Sequence, residues 1–226
     1  GRQLRIVLDH PRGNVLTAGM VRAMREALAA SARERRLKLI TFEGQGSDFS
    51  FGSSIEEHRP SMIGEVLPEL HALLRDLLQA PAPTLAVVRG RCLGGGFELA
   101  LACDVIIAAE GAVMGLPEIM LGVFPPAGAA LLPARVGAAR AARAILTGEP
   151  IAAAEWRDAG LVADVTPYDE LEAAVDRWFD EHLAPRAAAA LRHAAAAARI
   201  ALRALVEPAL ARAERLYLDD LMRTRD

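Results

Sequence analysis

Two glutamates stand in stretches that are otherwise almost free of charge. Glu98 lies in Gly-Phe-Glu-Leu-Ala-Leu-Ala, and Glu118 in Met-Gly-Leu-Pro-Glu-Ile-Met-Leu-Gly. A carboxylate set among apolar residues is expensive to bury unless it caps a helix, meets an arginine or takes part in chemistry. Just before Glu98 come three consecutive glycines, Gly94, Gly95 and Gly96. Without a Cβ, such a stretch lets the backbone approach a ligand and turns its N–H groups outward. A helix starting there adds a positive dipole end, so the loop can cradle a phosphate or an oxyanion. The specific phosphate motifs are absent. No Gly-Lys-Ser/Thr closes the loop, and the G-x-G-x-x-G spacing is missing, although Glu118 lies at a tempting distance downstream. A triple glycine by itself serves equally well as a tight strand–helix junction. Two acids beside an N–H-rich loop are a different matter: they are the minimum kit for general acid–base work at a carbonyl. Burial raises the pKa of both, while a place near a helix N-terminus lowers that of Glu98, and the sequence leaves that balance open.

A second loop, Phe49-Ser50-Phe51-Gly52-Ser53-Ser54-Ile55, has the same open character. A serine nucleophile would need the G-x-S-x-G elbow, which is not there, so one further backbone N–H is the more economical reading. The five histidines show no metal-ligand spacing, and His58 and His71 read as surface or packing residues.

Positioning these loops falls to alternating strands and helices. Leu4–Leu8 reads as a strand, followed by turn residues Pro11, Gly13 and Asn14. Thr17 is a candidate N-cap for a helix carrying Met20, Met24, Ala27 and Leu28, with Arg33, Arg35 and Arg36 expected at its C-terminal end. Leu37–Phe42 is a second strand. A helix is expected from about Ser61 to Ala80, kinked or broken at Pro68. Thr84–Val88 and Val105–Ala109 are apolar on consecutive positions, as in strands buried on both faces. Beyond Ala127 the chain turns Ala- and Arg-rich. It holds one short strand candidate, Leu161–Val165, then an amphipathic helix marked by Leu191, Ala194, Ala198, Leu202 and Leu205. Pro208 opens another, with Leu210, Ala213, Tyr217 and Leu221 on its apolar side. The class is α/β, with a helical layer suited to packing on the core or on another subunit.

The chain has 226 residues, 53% of them hydrophobic, enough for one substantial core and too apolar for disorder. A net charge of -3 offers no cationic field, which argues against nucleic acid as a partner. Lys38 is the sole lysine, and Cys92 and Cys103 are too few for a disulfide scaffold. No apolar run reaches the roughly 18 residues of a membrane span. A soluble, cytoplasmic protein with no membrane partner is the expectation.

In these motifs the chain resembles the crotonase superfamily, the enoyl-CoA hydratases and isomerases. The resemblance is carried, in order, by Phe49-Ser50-Phe51-Gly52-Ser53, Val88-Arg89-Gly90 through Gly94-Gly95-Gly96-Phe97-Glu98, Cys103-Asp104, and Gly115-Leu116-Pro117-Glu118 with Leu121-Gly122. Leu146-Thr147-Gly148 and Gly160-Leu161-Val162 complete it. It implies a spiral of ββα turns over residues 1–165 as an acyl-CoA-binding core. Residues 166–226 would be a helical region for subunit packing in a homotrimer or dimer of trimers, truncated at its C-terminus inside a helix still running at Asp226. It also implies that the N–H groups of Ser53 and Gly95 form an oxyanion hole, and that Glu98 and Glu118 hold a water between them. The substrate would be a coenzyme A thioester, with no permanently bound cofactor and no metal. The substrate-binding surface implied by the same positions takes Arg12 and Val15, then Phe51, Gly52, Ser54 and Ile55. It continues with Leu93 and Gly94, and with Pro117, Leu121, Gly122 and Phe124. Arg12 is the candidate cation for the adenosine phosphates, or else a solvated loop arginine. Phe51, Leu121 and Phe124 wall a ring-shaped pocket or belong to the core.

Departures from the common hydratase pattern narrow the expectation. Ser53-Ser54 replaces the usual Ala-Asp, and Val123-Phe124-Pro125-Pro126-Ala127-Gly128 replaces the usual glycine-rich turn. With Glu56-Glu57-His58, Cys92-Leu93 and Trp178–Pro185, these look like a branch that acts on a cyclic dienoyl-CoA. That branch hydrates cyclohexa-1,5-diene-1-carbonyl-CoA to 6-hydroxycyclohex-1-ene-1-carbonyl-CoA in anaerobic aromatic breakdown. General enoyl-CoA hydration, double-bond isomerisation and non-catalytic acyl-CoA binding are the alternatives.

Overall fold

Strands apolar on every position need cover on both faces, and the computed structural model, which describes residues 1–59 and 61–224, supplies it. One sheet is parallel throughout, in the order β1 (Gln3–Leu8), β2 (Leu39–Gly44), β3 (Thr84–Val88), β5 (Val105–Ala109) and β8 (Asp164–Thr166). Successive side chains point to opposite faces. Leu39, Leu85, Val87, Ile107 and Ala109 face α7 (Leu171–His182) through its Leu171, Val175 and Phe179. Ile40, Phe42, Ala86, Val88, Ile106 and Ala108 face the main core. A smaller sheet joins β4 (Arg91–Leu93) parallel to β6 (Val113–Gly115), with β7 (Ile151–Ala152) antiparallel to β6. One strand from each sheet and then a helix make a repeating unit. β3 and β4 lead into α3 (Gly95–Ala102), and β5 and β6 lead through a 3₁₀ turn, Pro117–Leu121, into α4 (Pro126–Val136). This is the α/β ββα spiral that the resemblance implied.

Thr17 caps α1 (Ala18–Ser31) by accepting from the Met20 N–H at 3.2 Å, and Val21, Met24 and Leu28 are buried. The helix stops at Ser31, so Arg33, Arg35 and Arg36 lie beyond its last turn rather than in it. Short-range bonds from the Ala32, Arg33 and Glu34 N–H groups to Ala29, Ala30 and Ser31 close it early. β2 begins at Leu39, two residues later than expected, because the Leu37 N–H is held in a turn by the Glu34 carbonyl. β8 likewise starts at Asp164, since the Leu161 and Val162 N–H groups both bond the Trp156 carbonyl at the end of α6 (Ala153–Asp158).

Neither proline breaks its helix. α2 (Ile63–Leu77) runs through Pro68, and α8 (Ala188–Arg215) runs through Pro208 as one helix of 28 residues. In each case the carbonyl that proline leaves unpaired, on Gly64 or Ala204, belongs to an exposed residue and can be hydrated. Before Pro208 the inner stripe of α8 is also not the expected one: Ala195, Arg199 and Val206 are buried, while Leu205 is 61% exposed. After it, Leu210, Ala213 and Tyr217 are buried as expected. Arg199 sets this phase. Its guanidinium bonds Asp104 at 2.8 Å and the Ala80 and Ala82 carbonyls at 2.6 and 2.8 Å, and Asp104 in turn accepts from Thr84. α8 ends in a π turn, Leu216–Asp220, and a 3₁₀ turn, Leu221–Arg223. The expected helix running on to Asp226 is interrupted before it, for Thr224 is extended at ψ 163°; the last two residues fall outside the described ones. No described helix is long and apolar enough to cross a membrane.

Candidate active site

The glycine loop ends at Gly94, whose φ of 51° and ψ of -128° suit only glycine, and whose N–H bonds the Gly115 carbonyl at 2.9 Å. A Cβ on Gly94 would lie 2.8 Å from Glu118 Oε1, so the missing side chain leaves space for the acid. A Cβ on Gly95 would lie 2.3 Å from Ser53 Oγ and 3.3 Å from the Ser53 nitrogen, which shows how closely the two loops meet. On either side of Ser53 the backbone is tied to Leu16, through Gly52 O at 2.9 Å and Ser54 N at 3.0 Å. The Ser53 and Gly95 N–H groups themselves donate to no acceptor among the described residues. Two residues named in the sequence only as a turn residue and as part of the second loop hold it in place. Ser50 Oγ donates to the Asn14 carbonyl at 2.8 Å and accepts from the Gly52 N–H at 3.1 Å. Asn14 Nδ2 donates to the Gln45 and Asp48 carbonyls.

Glu98 is 3% exposed on the first turn of α3, and its Oε1 accepts from the Gly128 N–H of α4 at 2.7 Å. Burial pushes its pKa up to about 7, against the opposing pull of the Gly128 and Ala127 N–H groups. Burial therefore prevails, and the N-terminus that meets its carboxylate is that of α4. Glu118, on the 3₁₀ turn, is pushed up to about 8, first by burial and then by the charge of Glu98. Its Oε2 is buried without a hydrogen-bond partner.

Both acids line a cavity of about 1050 Å³. Ser53 and Gly95 line it too, together with Gly52, Ser54 and Gly94. So do Arg12, Val15, Phe51 and Ile55 on one loop system, and Pro117, Leu121 and Phe124 on the other. Two expected residues do not. Leu93 is held in β4, its N–H bonded to the Ser50 carbonyl at 2.9 Å. Gly122 closes the 3₁₀ turn in a left-handed conformation and takes no part in the wall. Arg12 is exposed and paired with Glu56 at 2.9 Å, and Phe51 is 40% exposed beneath the Arg91 guanidinium. His58, read above as a surface or packing residue, lines the cavity and places Nδ1 2.8 Å from the Ser54 carbonyl. His71 is fully buried on α2, its Nδ1 2.5 Å from Glu214 on α8. The remaining wall includes Leu67, Leu70, Val123, Pro126, Tyr217 and Met222. Tyr217 had been expected only as an apolar-face residue. Nothing in its own sequence neighbourhood marks it, since the chain brings it back to the acids from a distance.

Residues 4–226 match the family model described as Enoyl-CoA hydratase/isomerase. The chain is 43% identical to a cyclohexa-1,5-dienecarbonyl-CoA hydratase from Thauera aromatica over 226 residues, all of this chain and 87% of that protein. It is 36% identical to a 2,3-dehydroadipyl-CoA hydratase from Escherichia coli K12 over 74% of this chain and 67% of that one. An enoyl-CoA hydratase from Mycobacterium avium subsp. paratuberculosis superposes with a TM-score of 0.89 at 32% identity, covering 99% of this chain and 88% of that structure. On sequence and fold together, the chain belongs to the enoyl-CoA hydratase/isomerase family, the crotonase superfamily of enzymes.

Proposed function

We propose that this cavity adds water to an unsaturated coenzyme A thioester, and that its substrate is cyclohexa-1,5-diene-1-carbonyl-CoA. The observation that carries the reading is one cavity wall on which two undonated N–H groups, of Ser53 and Gly95, adjoin two buried acids held in different surroundings. Glu98, supported by the α4 N–H groups, is the carboxylate. Glu118, unpartnered at Oε2 and facing the charge of Glu98, is the acid.

Glu98 takes a proton from water as the hydroxyl adds to the ring carbon β to the thioester. Charge moves through the conjugated system to the thioester oxygen, where the Ser53 and Gly95 N–H groups receive it. Each such donor is worth roughly 10²- to 10³-fold in rate. Glu118 returns a proton to ring carbon, which completes the addition of one water and leaves the proton on the other acid. Proton exchange then resets the pair. Coenzyme A arrives with the substrate, and this scheme needs no resident cofactor. Support for the ring comes from the 43% identity to the Thauera protein and from the apolar wall of Phe124, Leu121 and Val123. Arg12 stands at the loop end of the cavity as the candidate contact for the adenosine phosphates. The reading also carries assembly as a homotrimer or dimer of trimers, supported by exposed Met120 and Leu146 at 62 and 71%.

Incubation with the cyclic dienoyl-CoA and with crotonyl-CoA, followed by loss of conjugated absorbance, tests the substrate. Turnover of crotonyl-CoA alone would reject the ring. Glu118→Gln is expected to bind thioester as before and to hydrate it about 10²- to 10⁴-fold more slowly. Unchanged turnover in that variant would end the two-acid mechanism.

A further inference from the structure

We infer that Tyr217 is the residue that sets which acyl groups fit, closing the acid end of the cavity to a compact ring and against an extended chain. This rests on the reading of the cavity as an acyl-CoA site and goes beyond it by naming its selectivity wall. Tyr217 is 3% exposed and lines the same cavity as Glu98 and Glu118. Its ring meets Phe124 edge-on, with centroids 5.5 Å apart and planes at 62°, and packs with Ile63 and Leu67 of α2 and with Val123.

The ring is also held firmly. It follows Glu214, which binds the buried His71 of α2, so α2 grips this end of α8 at His71 and, one turn earlier, at Leu67. A stiff aromatic side chain fixed from two elements makes a wall that cannot step aside for a longer acyl group. The phenol makes no hydrogen bond among the described residues, and burial with the charges of Glu118 and Glu98 pushes its pKa up to about 12. It therefore stays a neutral donor over the whole range in which the acids titrate.

The test uses the full chain with a graded series, Tyr217→Phe, Tyr217→Leu and Tyr217→Ala, each checked for fold by circular dichroism. Calorimetric titration with the unreactive thioesters cyclohexanecarbonyl-CoA, butyryl-CoA and octanoyl-CoA gives dissociation constants independent of turnover. The wild type and Tyr217→Phe are expected to favour the ring over the eight-carbon chain. The ratio should shift by about tenfold or more towards octanoyl-CoA as the side chain shrinks. A ratio that stays within about twofold of wild type across the folded members of the series would overturn the inference. If the wild type hydrates neither cyclic nor linear unsaturated thioesters, the proposed function falls, while the ratio still reports on Tyr217.

Discussion

Burial raises the pKa of both Glu98 and Glu118, but their neighbours act on it in opposite senses, and on the proposed mechanism that difference assigns their work. Glu98 is opposed in this by two N–H groups of α4 that favour its charge, whereas Glu118 is raised further by the charge of Glu98 and opposed only by its own backbone N–H. The productive pair holds one proton, so it is populated between the two macroscopic steps. The kcat/KM profile should rise to a limb near 7 and fall beyond one near 8. A profile flat from pH 6 to 9 would remove the shared-proton pair. Stability runs the other way. The native Glu98 keeps its proton to a higher pH than the unfolded chain does, so its contribution is present in acid and is lost as pH rises towards about 7. Glu98→Gln should therefore stabilise the protein at pH 8 by on the order of 2 kcal/mol and leave it unchanged near pH 4, read from urea unfolding. Both acids were legible in the sequence, because charge in an apolar stretch stands out. Their order was not, since the deciding N–H comes from Gly128, thirty residues along the chain.

At the scale of elements, the site depends on two loops that meet where a side chain is missing. Gly95→Ala would place a Cβ against Ser53 Oγ and press on the Ser53 backbone. Hydration should fall about 10²-fold with thioester affinity largely kept, because the donor geometry is disturbed while the cavity remains. Adding Ser53→Ala should recover part of the loss, and no recovery in that double variant would show that the two loops do not work as a unit. Strands apolar on consecutive positions were readable as buried on both faces, and the N-cap at Thr17 was readable too. The continuity of α2 and α8 was not. A proline in sequence carries no sign of whether the residue whose carbonyl it orphans is exposed, and here both are. The buried stripe of the first half of α8 was misread for a related reason: a charge at Arg199 looks like the outer face until Asp104 and two carbonyls are found beneath it.

Across the whole molecule, the order of the motifs along the chain made the spiral legible, because each ββα unit adds its strand beside the last. Tyr217 was hidden because α8 must cross the body of the protein before it reaches the acids. The exposed apolar residues point outward from this body. Exposed Met120 lies near the end of α5 (Ala138–Thr147), which carries exposed Leu146, for a Cβ on Gly148 would touch Ile119 and Met120. Sedimentation velocity at micromolar concentration should report a trimer or a hexamer, and a single monomer boundary would reject assembly through this face.

The parallel register of β4 on β6 pairs Leu93 with Gly115, immediately before the segments that bear Glu98 and Glu118. The spacing of the two acids is thus a matter of sheet pitch, which tolerates little variation. Val123, Phe124, Pro126 and, at the end of α8, Tyr217 line the same cavity from outside that register. On the proposed reading, the residue that sets the choice of acyl group, Tyr217, stands apart from the strands that space the acids. A descendant lineage can then exchange that one side chain without disturbing the pitch it inherits.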